Sequence, residues 1–214
     1  MFNPTTDSFY YAIRAWTRCR THPQMPQMVM KWLCNMELYA HTQNTNNTNT
    51  TNNTTTNTTN NNELLVKPNT ACYCIVMDAW AVRAGIIAKQ QYYNNNQHNN
   101  NNNNNKKNSS STSSIDETMD KVRGIFQYIK DIHNANAAAS NDDNVKPDTA
   151  AYTILLSAYA NIVYSIYNKD IPYQCEQIFY EMKEHHNSII PDERTYYYII
   201  QPWIKVQKPK CAEW

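Results

Sequence analysis

Residues 145–161 read VKPDTAAYTILLSAYAN, and residues 175–196 read CEQIFYEMKEHHNSIIPDERTY. In the first stretch Tyr152, Leu155, Leu156 and Tyr159 fall at i, i+3, i+4 and i+7, and in the second Cys175, Ile178, Phe179 and Met182 repeat that spacing. Such spacing puts four apolar side chains on one face of a helix. Pro147 stands just before Asp148 and Thr149, whose oxygens can satisfy the free N–H groups of a helix start. The passage therefore predicts a pair of helices, each with one apolar stripe.

The same sentence is written elsewhere in the chain. Five residues after Pro4, Pro68, Pro147 and Pro191 come Phe9, Tyr73, Tyr152 and Tyr196, and each aromatic opens a stripe. The remaining stripes are Phe9, Ala12, Ile13, Trp16; Tyr73, Val76, Met77, Trp80; and Tyr196, Ile199, Ile200, Trp203. Second stripes follow at Val29, Trp32, Leu33, Met36 and at Val122, Ile125, Phe126, Ile129. Capping residues recur as well: Thr5 and Thr6, Asn69 and Thr70, and Asp192. With only two glycines available, Asn134 and Asn187 are the expected left-handed terminators of second helices.

Repeats are thus predicted at 4–41, at 63–133 with an insertion at 93–113, at 145–190, and as a partial repeat with a tail at 191–214. An Asn/Thr-rich stretch at 42–62 and an Asn/Ala/Asp stretch at 134–144 separate them. Their composition buries too little apolar area to offset an ordering entropy of about 1 to 2 kcal/mol per residue, so they are expected to be disordered loops. Loop closure grows only logarithmically with length, so a stack of helices tolerates such tracts at its corners. Expansion of a codon repeat in a tolerant loop accounts for them more simply than self-association. Asn57-Thr58-Thr59 matches a glycosylation acceptor only because the tract holds little else.

Composition narrows the chemistry. Two glycines in 214 residues exclude glycine-rich phosphate loops, dinucleotide fingerprints and nucleophile elbows. A net charge of +1 supplies no whole-molecule field for a polyanion, so any such site must be local. Six cysteines without a Cys-x-x-Cys pair, and the adjacent His185 and His186, point to buried thiols and solvated histidines rather than a metal centre. No apolar run is read as long enough to span a membrane, and no membrane partner is expected. The opening MFNPTTDSFYY has neither a secretion signal nor an Arg-rich leader, and reads as starting inside folded sequence, as a fragment would. Pro202 is expected to kink or fray the last helix, leaving Lys208-Pro209-Lys210 as a tail.

A proline, a cap, a Thr-Tyr-like pair, a stripe ending in Ala-Trp or Ala-Tyr, then a helix ending Phe-x-x-Met: this pattern resembles the pentatricopeptide repeat. VKPDTAAYTILLSAYAN and VKPNTACYCIVMDAWAVRAG, residues 66–85, carry the resemblance best, and it covers the chain outside the polar tracts. It implies an all-α fold, a short α-solenoid of antiparallel helix pairs. It further implies a binder of single-stranded RNA in a mitochondrion or plastid, with one base per repeat and no cofactor or catalytic group. By the same resemblance the base-edge readers are Thr153 with Asp192, Cys74 with Asp148, and Tyr10 with Asn69. Arg194, Ala150 and Ala71, together with Asp7, occupy the stacking positions. Arg18, Arg83 and Lys205 are the phosphate contacts, with Asn161 in the matching place of the third unit.

Several of these depart from the family's usual choices. Tyrosine is not a usual edge reader, and only Arg194 among the stacking positions offers a planar surface. His-x-Glu and Pro-Cys-x-x-Cys, needed by the deaminase extension of some members, do not occur. Three and a half units would engage three or four bases, at micromolar affinity or weaker, so a longer parent array or a protein partner would have to add grip. The competing reading is a protein-binding scaffold of the tetratricopeptide type, whose Trp-x-x-Leu-Gly signature is missing.

Overall fold

The computed structural model describes residues 4–50, 66–98, 109–139, 144–163, 170–184 and 189–211, with 44–50, 95–98, 109–113 and 207–211 described as backbone alone. Among the described residues there are seven helices and no strand: α1 (Thr6–Thr17), α2 (Met25–Thr50), α3 (Thr70–His98), α4 (Ser109–Ala138), α5 (Thr149–Ile162), α6 (Ile171–Glu184) and α7 (Glu193–Cys211). The protein is all-α.

The expected caps are in place. Thr5 and Ser8 exchange side-chain and backbone hydrogen bonds at the start of α1. Asn69 Oδ1 accepts from the Cys72 N–H at 3.1 Å, Asp148 from the Ala151 N–H at 2.8 Å, and Asp192 from the Thr195 N–H at 2.8 Å. Each cap supplies an acceptor to an otherwise orphaned donor, an arrangement worth about 1 kcal/mol.

The first three aromatic-led stripes and the second stripes form the core, whereas the fourth departs from expectation, with Tyr196 and Ile200 about half exposed. Phe9, Ile13, Tyr73, Val76, Met77, Tyr152, Leu155 and Leu156 are buried, as are Val29, Leu33, Met36, Val122, Phe126, Ile129, Cys175 and Met182 of the second stripes. Every helix packs on its neighbour in the chain or on the next but one. Thus α1, α3 and α5 each pack on the helix that follows, α2, α4 and α6 pack on the next odd-numbered helix, and α1, α3, α5 and α7 pack in succession. Contacts fix the directions. Tyr152 reaches Glu181, while Phe179 meets Tyr196 and Tyr173 meets Trp203, so α6 runs against both α5 and α7.

A further regularity was not read from the sequence. The threonine two residues after each of the first three marker prolines bonds to the residue just before the next one. Thr6 Oγ1 accepts from the Lys67 N–H at 3.3 Å, Thr70 Oγ1 exchanges bonds with both the N–H and the carbonyl of Lys146, and Thr149 Oγ1 donates to the Ile190 carbonyl at 3.0 Å. The fourth such position is Glu193.

Four expectations are corrected. The polar tracts are not wholly loop: α2 runs into 42–62 as far as Thr50, α3 and α4 enter 93–113 from either side, and α4 continues through Asn134 to Ala138. Extending a formed helix adds one hydrogen bond per residue fixed, and Asn or Thr lowers that gain by less than about 1 kcal/mol. Asn134 is accordingly helical rather than a terminator, and Asn187 lies outside the described residues, as do His185, His186 and 51–65. Second, α7 passes through Pro202 and includes Lys208, Pro209 and Lys210. Pro202 is buried, Trp203 Nε1 donates to Glu176 at 3.1 Å, and Lys205 Nζ donates to the Ala160 carbonyl at 3.1 Å. These contacts offset the roughly 3 kcal/mol that a mid-helix proline costs.

Third, Thr70–Asn94 is long and apolar enough to cross a membrane by length and composition, and 56% of it is buried inside the protein. It packs against α1, α2, α4 and α5, which is why it is apolar on several sides. Fourth, two cysteines are exposed: Cys19 and Cys34 lie at the surface, whereas Cys72, Cys74 and Cys175 are buried, and all five are free thiols.

Candidate nucleic-acid interface

The odd-numbered helices carry the residues of interest on one shared run of backbone. Where α3 meets α5, a Cβ at Gly85 would lie 3.2 Å from Asn161 Cβ, so one of the two glycines sits in a tight contact between these helices. From α5 to α7, Thr149 reaches Ile190, Thr153 reaches Thr195 and Ala160 reaches Lys205, so these two helices run in the same direction. The residues directly after the marker aromatics are Tyr10, Cys74, Thr153 and Tyr197.

Thr153 and Asp192 come together through a residue the sequence reading passed over. Thr195, with no exposed surface, stands between them: its Oγ1 is 2.9 Å from Thr153 Oγ1 and donates to Asp192 Oδ1 at 2.7 Å. The Asp192 N–H in turn donates to Thr195 Oγ1 at 3.3 Å. Hydrogen bonds from the Thr195 hydroxyl and N–H, with Arg194 alongside, hold the Asp192 carboxyl below the usual carboxylate range. Asp192 is exposed, and Thr153 is buried. A cap followed three residues later by threonine is a readable capping-box pattern, and that was the available signal for Thr195.

The second pair is also brought close, but is less open. Cys74 is buried, and burial with the nearby Asp148 and Asp78 carboxylates pushes its thiol up to about 12. Asp148 is half-buried and occupied as a cap. In the first unit Tyr10 is half-buried, and Arg14 both donates to its hydroxyl at 3.3 Å and lies 5.9 Å from its ring centroid. Asn69 is half-buried and also a cap. At the stacking positions Asp7, Ala71, Ala150 and Arg194 are all exposed. Asp78, one turn beyond Cys74, is raised by burial and lowered in part by Arg20, and it places a carboxylate in the middle of this run.

The cations lie towards the far ends of the same helices. Arg18 is the exposed C-cap of α1, and Arg83 is half-buried on α3. Lys205 is held on the Ala160 carbonyl in the last turn of α5, and burial together with Lys89 brings its ammonium down to about 8. Lys89, exposed on α3, is thus a near neighbour that the sequence reading did not single out. Two like charges at this spot make an anion favourable between them.

Among the described residues no group of three His, Cys, Asp or Glu could hold a metal ion. The chain matches no protein-family model, no curated protein and no solved structure.

Proposed function

We propose that the chain is a short α-solenoid of antiparallel helix pairs that binds single-stranded RNA along the run of α1, α3, α5 and α7, in the manner of the pentatricopeptide proteins it resembles. One observation carries the reading. Thr153 of one unit and Asp192 of the next, far apart in sequence, are joined through the Thr195 hydroxyl. A base edge placed there would meet the exposed Asp192 carboxylate, which Thr195 and, behind it, the buried Thr153 hold in position, and Arg194 offers a planar face beside it. Cys74 lies near enough to Asp148 for that carboxylate, after burial, to help raise its thiol, which is in keeping with the same register one unit earlier. Phosphates would follow Arg18, Arg83 and the Lys89–Lys205 neighbourhood. On this reading the protein acts on organellar transcripts by occupying them and performs no chemistry.

The test is a titration of short single-stranded RNAs, varied at one nucleotide, at two salt concentrations. Affinity should depend on that base and fall with salt. Thr153→Ala with Asp192→Ala should remove the base dependence, whereas Lys89→Gln with Lys205→Gln should lower affinity for all sequences and flatten the salt slope. Indifference of the protein to every RNA would refute the proposal.

A second reading, a protein-binding scaffold of tetratricopeptide type, is favoured by one observation. Tyr196, Ile200 and Ile204 of α7 are about half exposed, while Phe9, Tyr73 and Tyr152, at the position of Tyr196, are buried. Capture of a protein partner by the α7 face in a chain that ignores RNA would select it.

A further inference from the structure

Between α2 and α4 lies an open groove of about 640 Å³, floored by Tyr73 of α3 and walled by Met30, Leu33, Ile125 and Tyr128. At the corresponding place between α4 and α6 a salt bridge spans the two helices. There Lys130 Nζ pairs with Glu181 Oε1 at 3.0 Å and lies 5.1 Å from the Phe126 ring centroid. Aligning the second stripes sets Glu37 at the position of Lys130, and Tyr128 at the position of Glu181. The groove is therefore the same gap with its bridging cation exchanged for a carboxylate. Glu37 accepts from the Tyr73 hydroxyl at 2.8 Å, and burial followed by the Glu37 charge raises the pKa of Tyr128. Glu117 adds a second carboxylate, while Asp120 is paired with Arg123, and Lys121 lines the same wall. At Gly124, on the wall, an added Cβ would meet nothing within 4 Å.

We infer that this groove docks a partner polypeptide through an amphipathic helix whose lysine or arginine enters between Glu37 and the rings of Tyr73 and Tyr128. Its neighbouring apolar residues cover the half-buried Met30 and the exposed ring of Tyr128. The incoming cation takes the place that Lys130 fills one unit later, and the apolar stem of such a side chain suits aromatic walls. The site lies mainly on α2 and α4, with Tyr73 of α3 at its floor, and uses none of the residues of the RNA-binding proposal.

The probe is a fluorescein-labelled helical peptide of leucine and lysine, with a leucine and glutamate peptide of the same length as control, titrated against the full chain by anisotropy. The lysine peptide should bind at least about tenfold tighter than the glutamate peptide, and Gly124→Leu, which fills open space, should weaken it by at least about tenfold. Glu37→Lys should do the same by supplying the cation internally. Bound peptide should slow alkylation of Cys34, which lines the groove, while leaving that of Cys19 unchanged, as followed by peptide mass mapping. No binding, equal binding of both peptides, or binding unaffected by Gly124→Leu with circular dichroism unchanged would overturn the inference.

Discussion

Consider replacing the Thr195 hydroxyl with a methyl group. Thr195 is fully buried, and its oxygen contacts Thr153 Oγ1 at 2.9 Å, Asp192 Oδ1 at 2.7 Å and the Asp192 N–H at 3.3 Å. Thr195→Val orphans the buried Thr153 hydroxyl, a loss of about 1 to 3 kcal/mol, and weakens the α7 cap by a further fraction of about 1 kcal/mol. The expected destabilisation is about 2 to 3 kcal/mol. Thr153→Val removes a single bond and leaves Thr195 satisfied by Asp192, so it should cost only about 1 kcal/mol. The double variant has no orphan at position 153 and should cost little more than Thr195→Val alone, giving a coupling of about 1 kcal/mol. Urea unfolding of the four proteins, with equal denaturant slopes, measures this cycle. Additivity within about 0.5 kcal/mol, or a Thr153→Val loss as large as that of Thr195→Val, would refute the bridged geometry on which the RNA reading rests. With the geometry intact, Thr195→Val should also blunt base discrimination, because it frees both readers to wander.

Other expectations follow from single contacts. Trp80 Nε1 is buried without a partner, whereas Trp203 Nε1 finds Glu176; the position of Glu176 in the first unit's second stripe is Met30, so Met30→Gln should supply the acceptor and raise stability by about 1 kcal/mol in urea melts. Gly124→Ala, on an open helix face, should stabilise by about 0.5 to 1 kcal/mol. Gly85→Ala should gain less or lose, because its Cβ would press on Asn161 Cβ at 3.2 Å; thermal melts of the pair decide. Burial raises the thiols of Cys74 and Cys175 to about 12 and raises that of Cys72, so their contribution to stability is complete below about 9 and declines as pH rises towards 12. Lys205, lowered to about 8, acts in the opposite sense between 8 and 10.5. Unfolding midpoints should fall between pH 9 and 11, and Cys74→Ala with Cys175→Ala should flatten that fall. A midpoint that rises over this range would refute the burial argument.

The stripes and caps were legible because both are local. Four apolar residues on about two turns of helix and a polar oxygen beside a free N–H leave their mark within eight or nine positions, and Tyr152 or Asp148 could be assigned from neighbours alone. Helix ends in the polar tracts were not, since Asn and Thr carry no stripe and their helicity is inherited from the segment before. Pro202 misled for a related reason: its local penalty is real, but the contacts of Trp203 and Lys205 that outweigh it come from α6 and α5. At the candidate interface, spacing located Thr153 and Asp192 on adjoining helices, yet whether their oxygens were free depended on Thr195, and the neighbour of Lys205 proved to be Lys89 of α3, four helices earlier.

The threonine clasps bear on how the molecule yields to force. Each joins the opening of one unit to the opening of the next, from Thr6 to Lys67, Thr70 to Lys146 and Thr149 to Ile190, whatever length of chain lies between. Pulled by its ends, such a chain should peel one unit at a time, giving a sawtooth trace whose step lengths record the size of each interval rather than a single rupture.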